Sequence, residues 1–440
     1  MFRKVRSKED GPPIDAVIAT GAVPIFIEQL TRNSEPELQL EAAWALTNIV
    51  SGTSEHVRAV VDAGAVPPLV RLVGSPGADV KEQVVWALGN IAGDSPATRD
   101  VVLRSDALLP LLALLEADDA KLSLLRIVAW TLSNLCRGKP RPELDLVQPA
   151  LPGLKMLLSS ADAEVLTDAS WALSYLSDGS NDRIQAVLDA GVCARVVELL
   201  AHASPTVQTP ALRTMGNIVT GEESHTQIAI DSGILDALRT LMSSPTKSIR
   251  KEACWTLSNI TAGSRVQIQR VLDDGLIEPI VAIIAGSERD VAIKKEAAWV
   301  LSNATSGGSP EQIAALTSCG AVRSLCALLS FGDADVVTVA LEGLGNILKA
   351  GVPAVGGVSN AYAGLVADAD GVPQLEELQR HGDDGIRTKA QEIHLAYFSE
   401  NVAVVDEPSP ALLDALSAPP PVLDAAASPF GATEASGDSG

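Results

Sequence analysis

Residues 41–53 read EAAWALTNIVSGT, Glu41 to Thr53. The same pattern returns as EQVVWALGNIAGD from Glu82, IVAWTLSNLCRG from Ile127, DASWALSYLSDG from Asp168 and PALRTMGNIVTG from Pro210. It continues as EACWTLSNITAG from Glu252, EAAWVLSNATSG from Glu296 and, more worn, ALEGLGNILKAG from Ala340. One column holds Trp44, Trp86, Trp130, Trp171, Arg213, Trp255, Trp299 and Glu342, in steps of 42, 44, 41, 42, 42, 44 and 43 residues. Four residues later stand Asn48, Asn90, Asn134, Tyr175, Asn217, Asn259, Asn303 and Asn346. A fixed period of this size predicts a solenoid.

The segment EAAWALTNI lacks Pro and Gly and is rich in helix formers. A Gly follows it, as past a helix end. Glu41, Trp44 and Asn48 fall on one stripe. Ala43, Leu46, Ile49 and Val50 lie off that stripe and are expected to bury. A lone Trp at helical spacing is usually core, and a lone exposed Asn means little. The repeated pair argues for a surface ladder instead. Helices pack about 8–10 Å apart, so successive indoles would form slots for long aliphatic stems. Asn amides carry both donor and acceptor for an extended backbone. The expected site is therefore a groove for an extended chain with cationic side chains.

Composition agrees. The 440 residues include 33 Lys and Arg against 55 Asp and Glu, a net charge of −22, with aromatics at only 3%. The acidity argues against direct nucleic-acid binding and favours basic partners. Five scattered Cys without a C-x-x-C pair suggest free thiols in a reducing compartment. There is no apolar run long enough to span a membrane and no signal-peptide core. Neither metal nor cofactor is expected. Metalloprotease, phosphate-loop and nucleophile-elbow signatures are missing, so the chain is not read as an enzyme.

A second landmark is a Gly before a short helix, at Gly21, Gly64, Gly191, Gly233, Gly275 and Gly320, joined by Pro24, Pro67 and Pro279 in the fullest copies. One unit reads as helices over about Pro67–Val73, Val80–Ala92 and Ala97–Ser105, which fits the three-helix armadillo period. The predicted class is all-α, a right-handed superhelical solenoid of nine to ten repeats over 1–398. The first repeat is expected to be partial, and the last ones degenerate. A loop insertion is expected at about 351–371, and a disordered acidic tail at 399–440. Residues 1–13 are basic and then broken by Pro12 and Pro13.

The WALTNI, WALGNIAGD, WTLSNLCR, WALSYLSDG, WTLSNITAG and KEAAWVLSN series closely resembles the importin-α family over nearly all of residues 2–398, including Tyr175 and Arg213 at the irregular positions. The resemblance implies a nuclear-import adaptor that shuttles between cytoplasm and nucleus and binds Lys/Arg-rich localisation signals of cargo proteins. It implies a major signal site at Trp44, Asn48, Trp86, Asn90, Asp94, Trp130 and Asn134. Its minor site would comprise Asn217, Glu252, Trp255, Asn259, Glu296, Trp299 and Asn303, with Arg213 between the two. Asp94 would take the key lysine of a signal, although an Asp in GDSP can equally cap the following helix. Val57 stands where the family has a Thr in that pocket. Importin-β and an exportin-type receptor are implied partners. The family's basic importin-β-binding arm has no counterpart in this chain, so importin-β binding is not expected of the chain alone. The rival is a catenin-type armadillo scaffold, which lacks this ladder and has a basic groove.

Overall fold

The computed structural model describes residues 13–117, 120–286, 288–352 and 360–399. Among these, every regular element is helical. The predicted tail at 399–440 lies outside the described residues beyond Ser399. The chain divides into two compact units, Met1–Ala237 and Leu238–Gly440. The sequence reading placed one solenoid over 1–398. A solenoid repeat touches only its neighbours, so division along the repeat direction follows from the architecture.

The repeat taken from Gly64 is realised as Val66–Leu72, Ala78–Asp94 and Pro96–Arg104. In the first unit, the long helices Pro36–Val50, Ala78–Asp94, Leu122–Cys136, Ala163–Ser177 and Pro205–Ile218 each pack on the next. In the second, Lys247–Thr261, Val291–Gly307, Ala334–Ala350 and Asp384–Tyr397 do the same. Ala43, Leu46, Ile49 and Val50 are buried as their spacing requires. The core is aliphatic throughout, with Leu88, Ile91, Leu132, Leu173 and Leu257 fully inside.

The glycine landmark has a backbone cause. Gly21, Gly64, Gly191, Gly233, Gly275 and Gly320 all adopt positive φ, between 61° and 93°. At Gly64 and Gly233 an added Cβ would meet nothing within 4 Å, so the requirement is conformational rather than steric. Asp106 and Asp370, both at φ 57°, turn the chain with the same left-handed geometry. Asp tolerates it at a cost.

One segment differs from the sequence reading, and two others depart from the regular repeat. The opening helix Ile14–Ala19 has six residues, where its counterpart Ser54–Asp62 has nine. The expected insertion at 351–371 is not all loop: Ala363–Asp368 is helical and leads into Gly371–Leu378 and Asp384–Tyr397. These three helices form a further unit at the end. Its apolar residues Val366, Leu375 and Ile393 supply the burial, and the Gly and Ala around them hid it. Between Cys136 and Leu144 the usual first short helix is replaced by the RGKPRPE loop.

Candidate functional site

The ladder residues sit on the long helices. Trp86 is 46% exposed, and Trp44, Trp130, Trp171, Trp255 and Trp299 are half-buried. None is a fully enclosed core residue. Trp171 and Tyr175 stack within one helix, ring centroids 5.8 Å apart and planes 20° from parallel. The indole of Trp130 lies against Gly89 of the preceding long helix. A Cβ at Gly89 would come within 2.3 Å of the ring and 2.6 Å of Thr131 Oγ1. Glycine at that position therefore lets the two helices approach and seats the indole.

The asparagines do more than line a surface. Asn134 Nδ2 donates to Gly89 O at 3.1 Å, and Thr131 Oγ1 donates to Val85 O at 3.2 Å. The pattern recurs one pair of helices on. Asn217 Nδ2 donates to Ser174 O at 2.8 Å, and Thr214 Oγ1 to Ser170 O at 3.3 Å. In the second unit Asn303 Nδ2 donates to Ser258 O at 3.0 Å. Each amide acceptor is the residue just before the ladder position of the earlier helix, namely Asn90, Tyr175 and Asn259. Its carbonyl already takes an intrahelical N–H, and the second lone pair takes the side chain. This corrects the expectation of freely offered amides. Asn134 and Asn217 are 5% and 8% exposed, and one N–H of each is committed to the fold. Asn90 and Asn259 bury Nδ2 without an acceptor among the described residues. Asn346 Nδ2 reaches Thr305 Oγ1 at 3.3 Å.

Because a carbonyl can only accept, the bond fixes which way each amide faces. Oδ1 of Asn134, Asn217 and Asn303 is then the atom left over. A pre-oriented acceptor pays less ordering cost when an extended backbone N–H arrives.

Asp94 is the last residue of Ala78–Asp94, and its Oδ1 accepts from Ser54 Oγ at 2.6 Å. The capping alternative is wrong. Ser95 caps Pro96–Arg104, accepting from Thr98 N and answered by the Thr98 side chain in a capping box. Asp94 is thus half-exposed at the junction between two repeats, with Ser54 supplying a hydroxyl nearby. Val57 is buried at 1% exposure and supplies packing only. Sequence reading missed Ser54, since a Ser after Thr53 looks like part of a turn.

In the second group Glu252 is 5% exposed on Lys247–Thr261. Glu296 lies on Val291–Gly307, where burial pushes its carboxyl up to about 7, aided by Glu252 and opposed by Lys251 and Lys295. Trp255, Asn259, Trp299 and Asn303 occupy the same two helices, which pack directly together. Arg213 and Asn217 belong to the first unit, on Pro205–Ile218. Asp168 was missed. It stands three residues before Trp171, as Glu296 stands before Trp299, and burial pushes it up to about 7 with help from Glu164. The column rule would have found it. Among the described residues no group of three metal-ligating side chains gathers.

Known proteins account for this arrangement. The armadillo/beta-catenin-like repeat family model matches eight segments: 12–51, 53–93, 95–137, 140–178, 180–220, 223–262, 264–306 and 309–349. Importin subunit alpha-2 of Arabidopsis thaliana is 59% identical over 403 residues, 91% of this chain and 75% of that protein. Importin subunit alpha-1b of Oryza sativa subsp. japonica is 54% identical over the same shares. A crystallised engineered protein aligns at a TM-score of 0.78 and 31% identity, covering 87% of this chain and 90% of its own. The ladder, its two irregular members and these relatives lead to one assignment: the chain belongs to the importin-α family, the armadillo-repeat adaptors of nuclear import.

Proposed function

We propose that this adaptor binds Lys/Arg-rich localisation signals of cargo proteins at two groups of ladder residues. The major group is Trp44, Asn48, Trp86, Asn90, Asp94, Trp130 and Asn134. The minor group, in the second unit, is Glu252, Trp255, Asn259, Glu296, Trp299 and Asn303, and Arg213 and Asn217 extend the ladder of the first unit. Half-exposed indoles take the aliphatic stems of Lys and Arg and add cation–π attraction. Asp94 takes one ammonium in the major group, and Glu252 and Glu296 serve the cations of the minor group. Asn Oδ1 atoms accept from the extended peptide backbone. Lys suits the Asp94 corner better than Arg, because a compact ammonium fits beside one carboxylate more readily than a planar fork. Importin-β and an exportin-type receptor are the family's further partners, and movement between cytoplasm and nucleus follows from the role.

The observation that carries this reading is the recurrent Asn-to-carbonyl bond, which commits one N–H of Asn134, Asn217 and Asn303 and leaves each Oδ1 one helical turn past Trp130, Arg213 and Trp299 of the ladder column. The test is titration of a single-cluster basic peptide into the intact chain and into a Trp86→Ala, Asn90→Ala double variant. Truncating such anchors should cost about 2 kcal/mol or more of binding, with helical content unchanged. Equal affinity for the two proteins overturns the reading, as does unfolding of the variant.

A further inference from the structure

The RGKPRPE loop, Arg137 to Glu143, stands where other repeats have a first short helix. Two arginines from the flanking repeats pin it. Arg99, 1% exposed, donates Nη1 to Arg137 O at 2.6 Å, and Arg183, 9% exposed, donates Nη2 to Pro142 O. Clamping a loop explains one nitrogen of each guanidinium. It does not explain the rest of the cluster. Arg183 Nη1 and Arg141 Nε are buried donors with no acceptor among the described residues. A buried charged donor left without an acceptor is destabilising, so its presence calls for a reason.

The surroundings do not neutralise them. The cations acting on Arg183 are Arg141 and Arg99, and the one carboxylate is Asp178. Asp178 is already paired with Arg141 Nη2 at 2.7 Å. Asp100 is likewise taken by Arg99 at 2.8 Å. Within a chain of net charge −22, three arginines here share two paired aspartates and keep unspent donors.

Gly179 covers the spot. It is exposed, at φ 144°, and a Cβ there would lie 3.0 Å from Arg183 Cδ and 3.6 Å from Arg141 Nε. A glycine there leaves bare backbone over the two arginines, where a side chain would crowd Arg183 Cδ and Arg141 Nε. Gly179 stands two residues past the end of Ala163–Ser177, the long helix that carries Trp171 and Tyr175. The cluster therefore lies at the end of a ladder helix, in the one repeat where the ladder amide is replaced by a phenol.

We propose that Arg141 and Arg183, approached past Gly179, form a binding site for a phosphate dianion. The phosphate is carried on a phosphorylated residue of the bound cargo segment or arrives as the free ion. Phosphate oxygens match guanidinium donors in charge and geometry. Asp182, exposed in the first turn of Asn181–Asp189, is the opposing charge to be overcome. The cargo form rests on the basic-signal reading above, and the free ion does not.

The test uses the intact chain in low-salt, phosphate-free buffer. Three probes are titrated: inorganic phosphate, a single-cluster basic peptide, and versions of that peptide with one phosphoserine moved along the residues flanking the cluster. At one spacing, phosphorylation should raise affinity about tenfold, roughly 1.4 kcal/mol. Arg141→Gln should abolish that gain while leaving the plain peptide unaffected. Arg183→Gln should do the same if its melting curve matches the wild type, and Arg141→Gln carries the test if it does not. Binding of inorganic phosphate alone, lost in Arg141→Gln, supports the site with the free ion as its source. Failure of every phosphate-bearing probe to gain, while the plain peptide binds, overturns the inference and spares the basic-signal reading. Failure of the plain peptide to bind overturns that reading, and inorganic phosphate still reports on the arginines.

Discussion

Ser54 Oγ donates to Asp94 Oδ1 at 2.6 Å, joining the start of one repeat's first helix to the end of its long helix forty residues on. The bond orients a carboxylate that the fold does not otherwise need. Asp94 ends a helix, where the macrodipole disfavours negative charge. A residue badly placed for stability and well placed for a cation is expected to serve binding.

Asp94→Lys should therefore weaken a single-cluster basic peptide by about 3 kcal/mol or more, since a charge reversal replaces attraction with repulsion. A peptide confined to the Trp255 and Trp299 group should bind as before. The melting temperature should hold or rise slightly, because Ser95 and not Asp94 caps the next helix. Both titrations and one melting curve check this. Equal losses at the two groups, or a large drop in melting temperature, would contradict it.

Gly89→Ala tests the seat of Trp130. In an ordinary helix this change stabilises by about 1 kcal/mol. Here the new methyl would meet the indole at 2.3 Å, and overpacking costs about 1–3 kcal/mol. The close approach should win. Denaturant unfolding should show net destabilisation, and tryptophan fluorescence should shift with the displaced ring. A more stable variant would mean that the helices slide apart freely.

Glu296 gives the second group a pH dependence. Its carboxyl ionises at about 7, and a bound cation favours the ionised form. Affinity of a basic peptide for that group should rise as pH increases through about 7 and level off above. Glu296→Gln should flatten the profile. Stability runs the other way. The folded carboxyl is raised above its ordinary value of about 4.5, so ionisation costs folding energy. That cost is absent below about 4.5, grows as pH rises from there to about 7, and is fully present above. Thermal melts of both proteins across this range read the difference.

Asp106 offers a stability gain. It holds φ at 57° where the corresponding turns use glycine. Asp106→Gly should stabilise the chain by up to about 1 kcal/mol, and Gly64→Ala should destabilise it by a similar amount. Paired urea titrations decide both. Opposite signs would show that side-chain contacts of Asp106 outweigh its backbone.

The repeat, its period, the helices and the ladder column could all be read in the sequence. They depend on local rules: apolar spacing, glycine where φ turns positive, and Trp and Asn returning at a fixed interval. Asp168 was within reach of the same column rule. The direction of each Asn amide was not, because it is set by a carbonyl about 45 residues earlier, as with Asn134 and Gly89. The role of Asp94 was equally out of reach. GDSP alone permits a cap, and only the packing of one repeat's first helix against its long helix brings Ser54 to the carboxylate, while Ser95 takes the cap. The sequence by itself determined which residues share a face. Tertiary structure decided which of their polar atoms are committed to the fold and which are not. A hydrogen bond between repeats depends on side chains meeting across helices, and residue spacing carries no record of that.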